Sequence, residues 1–142
     1  VLTGIKVMAG LSILQVLASS FLYLVSLLLA FLINFYFNIC FGFSAFVFKN
    51  LWGSNLLKNA LVAFMSGSLI PLAFFPKMVS TVLSFLPFSS LVYTPVMIVI
   101  GKYSLSQIMV ALGLQIVWLL VMVVLSQVIW KKVQYHLTIQ GG

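Results

Sequence analysis

The stretch F-M-S-G-S-L-I-P-L-A-F-F-P-K-M-V, Phe64 to Val79, is apolar enough for the interior of a membrane helix, yet it holds Gly67, Pro71 and Pro76. Pro87 and Pro95 follow, so all 4 prolines of the chain fall between positions 71 and 95. Proline lacks a backbone N–H and disfavours helix in the residue before it. A cluster of prolines in an apolar region therefore breaks a span and bends the chain. The reading adopted is that Pro71 and Pro76 end one membrane crossing early. The residues after them, with Pro87 and Pro95, then fold into a re-entrant helical cap. The competing reading is one kinked span from Leu56 to Pro76 followed by a plain apolar loop.

Outward from this stretch the chain is greasy throughout. It has 142 residues, 64% of them hydrophobic and 5% charged, with a mean hydropathy of +1.31. A soluble domain carries about 25% charged residues, so this composition cannot build a water-facing surface and implies an integral membrane protein. A bilayer core about 30 Å thick takes roughly 20 apolar residues per helical span. No charge lies between Lys6 and Lys49, nor between Tyr103 and Trp130. Solid apolar runs of this kind point to helices rather than to the alternating pattern of a membrane barrel. The fold expected is an all-α integral membrane protein, a single transmembrane domain over residues 1–142. It has about three long transmembrane helices and the proline-rich re-entrant cap between the last two.

The first apolar run, about Leu17 to Phe48, reads as one long helix starting near Gly10 or the Ser19–Ser20 pair, with two short spans between Lys6 and Lys49 as the competing parse. Along it Ser26, Ala30, Asn34, Asn38 and Gly42 recur at i, i+4. Small and polar residues in such rows let membrane helices approach closely and hydrogen-bond. The row is read as a helix–helix seam, with Asn34 and Asn38 alternatively lining a substrate path. KNLWGSNLLKN, Lys49 to Asn59, has interfacial composition, with Trp52 as a belt residue. Further apolar segments run from about Leu56 to Phe75 and from about Ser106 to Trp130. Between them, Val79, Val82, Leu83 and Leu86 share one helical face, which makes Met78 to Leu86 a short amphipathic helix in the outer leaflet. A second short segment, Ser89 to Ile100, ends at Gly101. On the last helix Gln107 and Gln115 are two i+4 steps apart and are read with Asn34 and Asn38 as candidate pathway or seam polar residues. Gly67, Pro71, Pro76, Pro87 and Pro95 form the candidate outer re-entrant gate.

The 7 cations are all lysines, and the chain has no Asp or Glu. They are scattered singly, as interfacial anchors are, and not clustered as a nucleic-acid surface requires. Placing Lys49, Lys58, Lys131 and Lys132 in the cytoplasm sets the C-terminus inside. Without carboxylates, paired-carboxylate catalysis and hard-cation sites lose their groups. His136 lies beyond the last apolar run, and Cys40 is alone within one. No catalytic, cofactor or metal residue is assigned, and the chain is not read as an enzyme. It begins with Val and shows no signal peptide, so it is expected to be part of a longer protein.

The motifs SGSLIPLAFFP (Ser66–Pro76), LPF (Leu86–Phe88), YTP (Tyr93–Pro95), IG (Ile100–Gly101), QIVW (Gln115–Trp118), WKK (Trp130–Lys132) and a terminal GG (Gly141, Gly142) occur in that order. With GFSAF (Gly42–Phe46) upstream, the set resembles the C-terminal half of ABC-2-type permeases, specifically the six-span bacterial ABC-2 family transporter proteins. The resemblance covers most of the chain from about Leu28 onward. It implies the membrane subunit of an ATP-driven exporter in a bacterial inner membrane, moving a hydrophobic or amphipathic cargo by alternating access. Two permease chains, identical or different, would pair, and separate ABC ATPase subunits would carry ATP and magnesium. In that family the fifth span rises outward, re-entrant helices follow, and the sixth span returns. A subunit of a non-ABC carrier or channel, or a membrane scaffold without transport activity, are the alternatives in other classes.

Overall fold

The structure is a computed structural model that describes residues 13–44 and 51–140. Gly10, Lys6, Lys49, the end of the GFSAF motif and the terminal GG pair lie outside those residues. The described chain is helical, with no strand among the described residues. Helix α1 runs over Ile13–Ser44 and α2 over Leu51–Met65. A 3₁₀ turn at Leu72–Phe74 leads into α3, Lys77–Phe85, then α4, Tyr93–Val99, and α5, Leu105–Gln140.

Two helices are long and apolar enough to cross a bilayer, α1 over Leu17–Phe43 and α5 over Leu105–Tyr135, with mean hydropathies of 2.1 and 2.8. Helix α1 is continuous, so the parse with two short spans before Lys49 does not hold over Ile13–Ser44. The expected third long helix, Leu56 to Phe75, is instead a 15-residue helix. It starts earlier, at Leu51, taking residues 51–59 of the interfacial stretch into its first turns, and it stops at Met65. The stop comes well before Pro71, and its cause is Gly67. This glycine takes φ +79°, a left-handed conformation that other residues rarely adopt and that commonly closes helices. The Leu69 N–H then returns to the Ala63 carbonyl at 3.3 Å. A Cβ at Gly67 would stand 2.5 Å from Leu72 Cδ1, and Leu72 is itself buried.

Helices α1 and α5 lie side by side and run parallel. Ser26 meets Gln115, Cys40 meets Met122, and Phe43 stacks at a tilt on Trp130 with ring centroids 5.2 Å apart, so position rises together along both helices. Helix α2 runs the other way against α1. Its Lys58 reaches Asn38, while Val62, one turn further on, borders a groove with Phe31 and Leu28. A parallel pair joined by one chain requires the segment between them to travel back along their length, and α2 begins that return.

The buried stripe on α1 is Ser26, Ala30, Ile33 and Cys40, and on α5 it is Ile108, Leu112, Gln115, Met122 and Ser126. Steps of three, four and seven average 3.5 residues per turn, the repeat that keeps two helices in contact over many turns. The expected i+4 row follows a different line. Each four-residue step advances about 400°, or about 40° past a full turn. Ser26 and Ala30 stay in the seam, and Asn34, Asn38 and Gly42 rotate out to the surface.

The interior mixes polar side chains with apolar ones, while much of the exterior is apolar. Ser26, Ser66, Ser89, Ser90, Thr94, Gln115 and Ser126 are buried, whereas Phe21, Leu28 and Phe31 on α1 and Met109, Val110 and Val124 on α5 are exposed. Water would penalise such a surface, since soluble proteins keep contiguous apolar patches small. Hydrocarbon favours it, and small or polar side chains at the seam supply the close packing and hydrogen bonds that hold helices together there.

Candidate functional site

Between α3 and α4 the chain is irregular from Leu86 to Val92. Pro87 explains the break: Leu86, before it, is extended at φ −75°, ψ 153°, as a residue preceding proline tends to be. Both short helices begin at or beside a proline. Pro76 immediately precedes α3 with φ −53°, and Pro95 sits in the first turn of α4, where a missing N–H costs nothing. Pro71 in the same way precedes the 3₁₀ turn. At the far end of α4, Gly101 takes φ +69° and lets the chain turn into α5.

The irregular segment, 86–92, packs against the middle of the long helices. Gln115 is fully buried and donates from Nε2 to the Ser90 carbonyl at 2.8 Å and the Ser26 carbonyl at 3.2 Å. Its Oε1 accepts from the Ser26 hydroxyl at 3.0 Å. Three hydrogen bonds on one amide thus join α1, α5 and the irregular segment. One turn along, Trp118 donates from Nε1 to the Phe85 carbonyl at 2.8 Å, satisfying the end of α3. Within the segment, the Ser89 hydroxyl donates to the Ser84 or Leu86 carbonyl, each 2.9 Å away, and the Thr94 N–H donates to the Ser89 carbonyl at 3.1 Å. Phe88 meets Phe37 of α1 edge-to-face at 5.5 Å. The Ser90 hydroxyl is buried with no partner among the described residues.

Gln115 and Trp118 lie about 15 and 20 Å along α5 from its first residue, Leu105, at about 1.5 Å per residue. The irregular segment therefore reaches well into the apolar length of that helix. From there α4 leads back: Ile98 packs against Ile108 and Leu112 near the start of α5. Ends of helices need partners for their free backbone groups. Here Trp118 provides one for the end of α3, and Gln115 does the same for the carbonyl of Ser90 in the irregular segment, where a bilayer could not.

Two hollows flank this tie. A cleft of about 350 Å³ lies between the end of α3, α4 and the start of α5, bordered by Ser84, Tyr93, Tyr103, Ser106 and Gln107. Burial, and secondly the neighbouring Tyr93 hydroxyl, push the Tyr103 phenol above its ordinary pKa. On the other side, a groove of about 680 Å³ runs between α1 and α2 and is bordered by Leu24, Leu28, Phe31, Asn34 and Val62, with Leu91 and Val92 at the irregular segment.

The four polar residues singled out in the sequence go to three different places. Gln115 is in the buried tie. Gln107 is exposed at the start of α5, where its Oε1 accepts from the Ser104 N–H at 2.9 Å and its own N–H faces the Ser104 hydroxyl at 3.4 Å. That reciprocal pair is a capping box, and eight residues of helix turn Gln107 about 80° away from Gln115. Asn34 and Asn38 are exposed and pair with each other, Asn38 Nδ2 donating to the Asn34 carbonyl at 2.8 Å and to Oδ1 at 3.0 Å. Of the gate residues, Pro87 and Pro95 are buried beside the tie, and Gly67, Pro71 and Pro76 frame the preceding turn. Sequence reading missed Ser90 and the indole of Trp118 as members of the tie. The QIVW motif carried a signal for Trp118, since an indole N–H in an apolar run needs an acceptor. Nothing marked Ser90, whose contribution is a backbone carbonyl.

An apolar exterior, hydrogen-bonded polar groups in the seam and a broken segment tied to mid-helix together describe a helical membrane protein. The chain belongs to the ABC-2 family transporter proteins, whose family model matches residues 1–141. It is thus a membrane component of transport machinery and not itself catalytic, in a family that generally works with ABC ATPase partners. No curated protein and no solved structure matches the chain.

Proposed function

We propose that the chain is the C-terminal part of the permease of an ATP-driven exporter, and that the segment from Pro71 to Gly101 is its outer re-entrant gate. The observation that carries the reading is the tie of Gln115 to Ser26 and Ser90, which holds non-helical backbone against the middle of two parallel apolar helices. Irregular backbone at membrane depth is tolerated where protein or a cavity covers it. In this reading α2 and the stretch after it, to about Phe75, make the third crossing. Helix α3 dips inward, the segment 86–92 is the innermost point of the dip, and α4 returns. The C-terminus is cytoplasmic and the membrane is the bacterial inner membrane. The permease works as a pair of chains, and ATP with magnesium binds to separate ATPase subunits. The cargo is hydrophobic or amphipathic, and access alternates as the helices rock against the tied segment.

Two measurements on the full-length protein test this. Detergent purification should recover a subunit that hydrolyses ATP. A Phe37→Cys, Phe88→Cys pair in a Cys40→Ser background, bridged by a short reducible bifunctional thiol reagent, should stop ATP-driven transport, and reduction should restore it. Undiminished transport with the bridge verified by mass spectrometry would remove the gate role.

A further inference from the structure

One helical turn beyond Asn34 and Val62, on the walls of the groove between α1 and α2, lies a cation that the chain gives no counter-charge. Lys58 Nζ donates to Asn38 Oδ1 at 2.6 Å and lies 5.0 Å from the centroid of the Phe41 ring. Asn38 in turn donates to Asn34, which borders the groove. The ammonium is thus held, half-buried, by a side-chain amide and a ring face, one turn of α2 from Val62 on the groove wall. An ammonium has three N–H donors, and among the described residues one of them goes to Asn38. No Asp or Glu exists anywhere in the sequence to pair with it.

The rest of the groove has the opposite character. Leu24, Leu28, Phe31, Val62, Leu91 and Val92 give it an apolar wall. From Asn34 to Leu24 the wall rises about 15 Å along α1. At about 680 Å³ it falls within the roughly 300–1,000 Å³ of small-molecule sites. At one end Asn34 borders the groove, with the Lys58–Asn38 pair one helical turn beyond it, and Leu91 and Val92 of the irregular segment border it elsewhere.

We infer that this groove binds an anionic amphiphile, with its acyl chain along Leu24, Leu28 and Phe31 and its anionic headgroup on Lys58 and the Asn34–Asn38 amides. The charge complementarity is specific in sign: a cationic headgroup would meet Lys58 with no carboxylate to offset it. Asn38 is a positioning residue, holding the ammonium one turn beyond the groove wall, and Lys58 makes the contact. The inference deepens the permease reading by naming the chemical class of the cargo, and it rests on that reading for the step of transport but not for binding.

The test uses the full-length protein in nanodiscs of zwitterionic lipid and two photoactivatable probes with the same diazirine-bearing acyl chain, a lysophosphatidate and a lysophosphatidylcholine. The phosphatidate probe should label residues 24–34 and 91–92 at least about five-fold more than the choline probe. Lys58→Gln should erase that preference, and Lys58→Arg should retain it. Asn38→Ala should weaken it while leaving α1 folded, as judged by unchanged labelling from the choline probe. Equal labelling by both probes, or a preference untouched by Lys58→Gln, overturns the inference. So does protection of the groove by a second copy or another span, seen as cross-linking from Leu28→Cys in the Cys40→Ser background without probe access. Probe binding without ATP-driven movement of the probe keeps the site and counts against the permease reading. ATP-driven transport of other cargo with no groove labelling does the reverse.

Discussion

Gln115 illustrates how much one side chain can carry when its surroundings offer no water. Its amide makes three hydrogen bonds to two partners that belong to different elements. Replacing it with Leu keeps the approximate size and removes every one of them. The Ser26 hydroxyl and the Ser90 carbonyl then remain buried without that partner, at a cost of about 1–3 kcal/mol for an unsatisfied group. Gln115→Leu should therefore lower the unfolding midpoint in detergent, while Gln107→Leu at the exposed capping box should cost less, about 1 kcal/mol. Equal losses for the two variants would mean that the buried tie has no special weight. Lys58 is the converse case, a charge with no carboxylate in the sequence to pair with it, and its meaning lies in what it could bind.

At the scale of elements, helix ends decide the architecture. Helix α2 is short because Gly67 ends it, and the proline-initiated 3₁₀ turn and α3 follow at once. A residue with a Cβ at position 67 meets two penalties, a left-handed φ and the Leu72 side chain at 2.5 Å. Gly67→Ala should destabilise the protein by about 1–3 kcal/mol. The effect should appear first as faster amide exchange at 63–75, with α5 unaffected. Exchange that stays unchanged there would show that the turn does not need its glycine. The repeat of the α1–α5 seam belongs to this scale too. Alternating three- and four-residue steps keep contact from Ser26 to Cys40, while the row of i+4 residues leaves the interface after Ala30.

For the whole molecule, the parallel course of α1 and α5 is the controlling fact, since it obliges the intervening chain to return along their length. If that return is made by α2 and its continuation, and the segment between α3 and α4 only dips, then Lys77 and Lys102 share one face of the membrane. Lys77→Cys and Lys102→Cys, each in the Cys40→Ser background of the full-length protein, should react alike with a membrane-impermeant maleimide in intact cells. Labelling of one from outside and the other only after permeabilisation would replace the dip with a crossing. Phe43 against Trp130 marks the other end of the pair, adjacent to Lys131 and Lys132, where the positive-inside tendency expects cytoplasm.

What the sequence determined by itself is the solvent and the punctuation. A chain 64% hydrophobic without a single carboxylate must satisfy its backbone inside helices, and prolines 71, 76, 87 and 95 each act locally, through φ and a missing N–H. The two long helices α1 and α5, the breaks near Pro87 and Gly101, and the short amphipathic helix α3 were legible for that reason, whereas the expected third long helix was not found as one. The seam, the partners of Gln115 and the groove beside Asn34 were decided only in three dimensions. Ser26 and Gln115 are 89 residues apart, and apolar helices look alike on every face, so hydropathy gives no hint of which face turns inward. The accumulated rotation of two helices packed in parallel makes that choice: it draws Ser26 into the interior and turns Asn34 and Asn38 out toward α2.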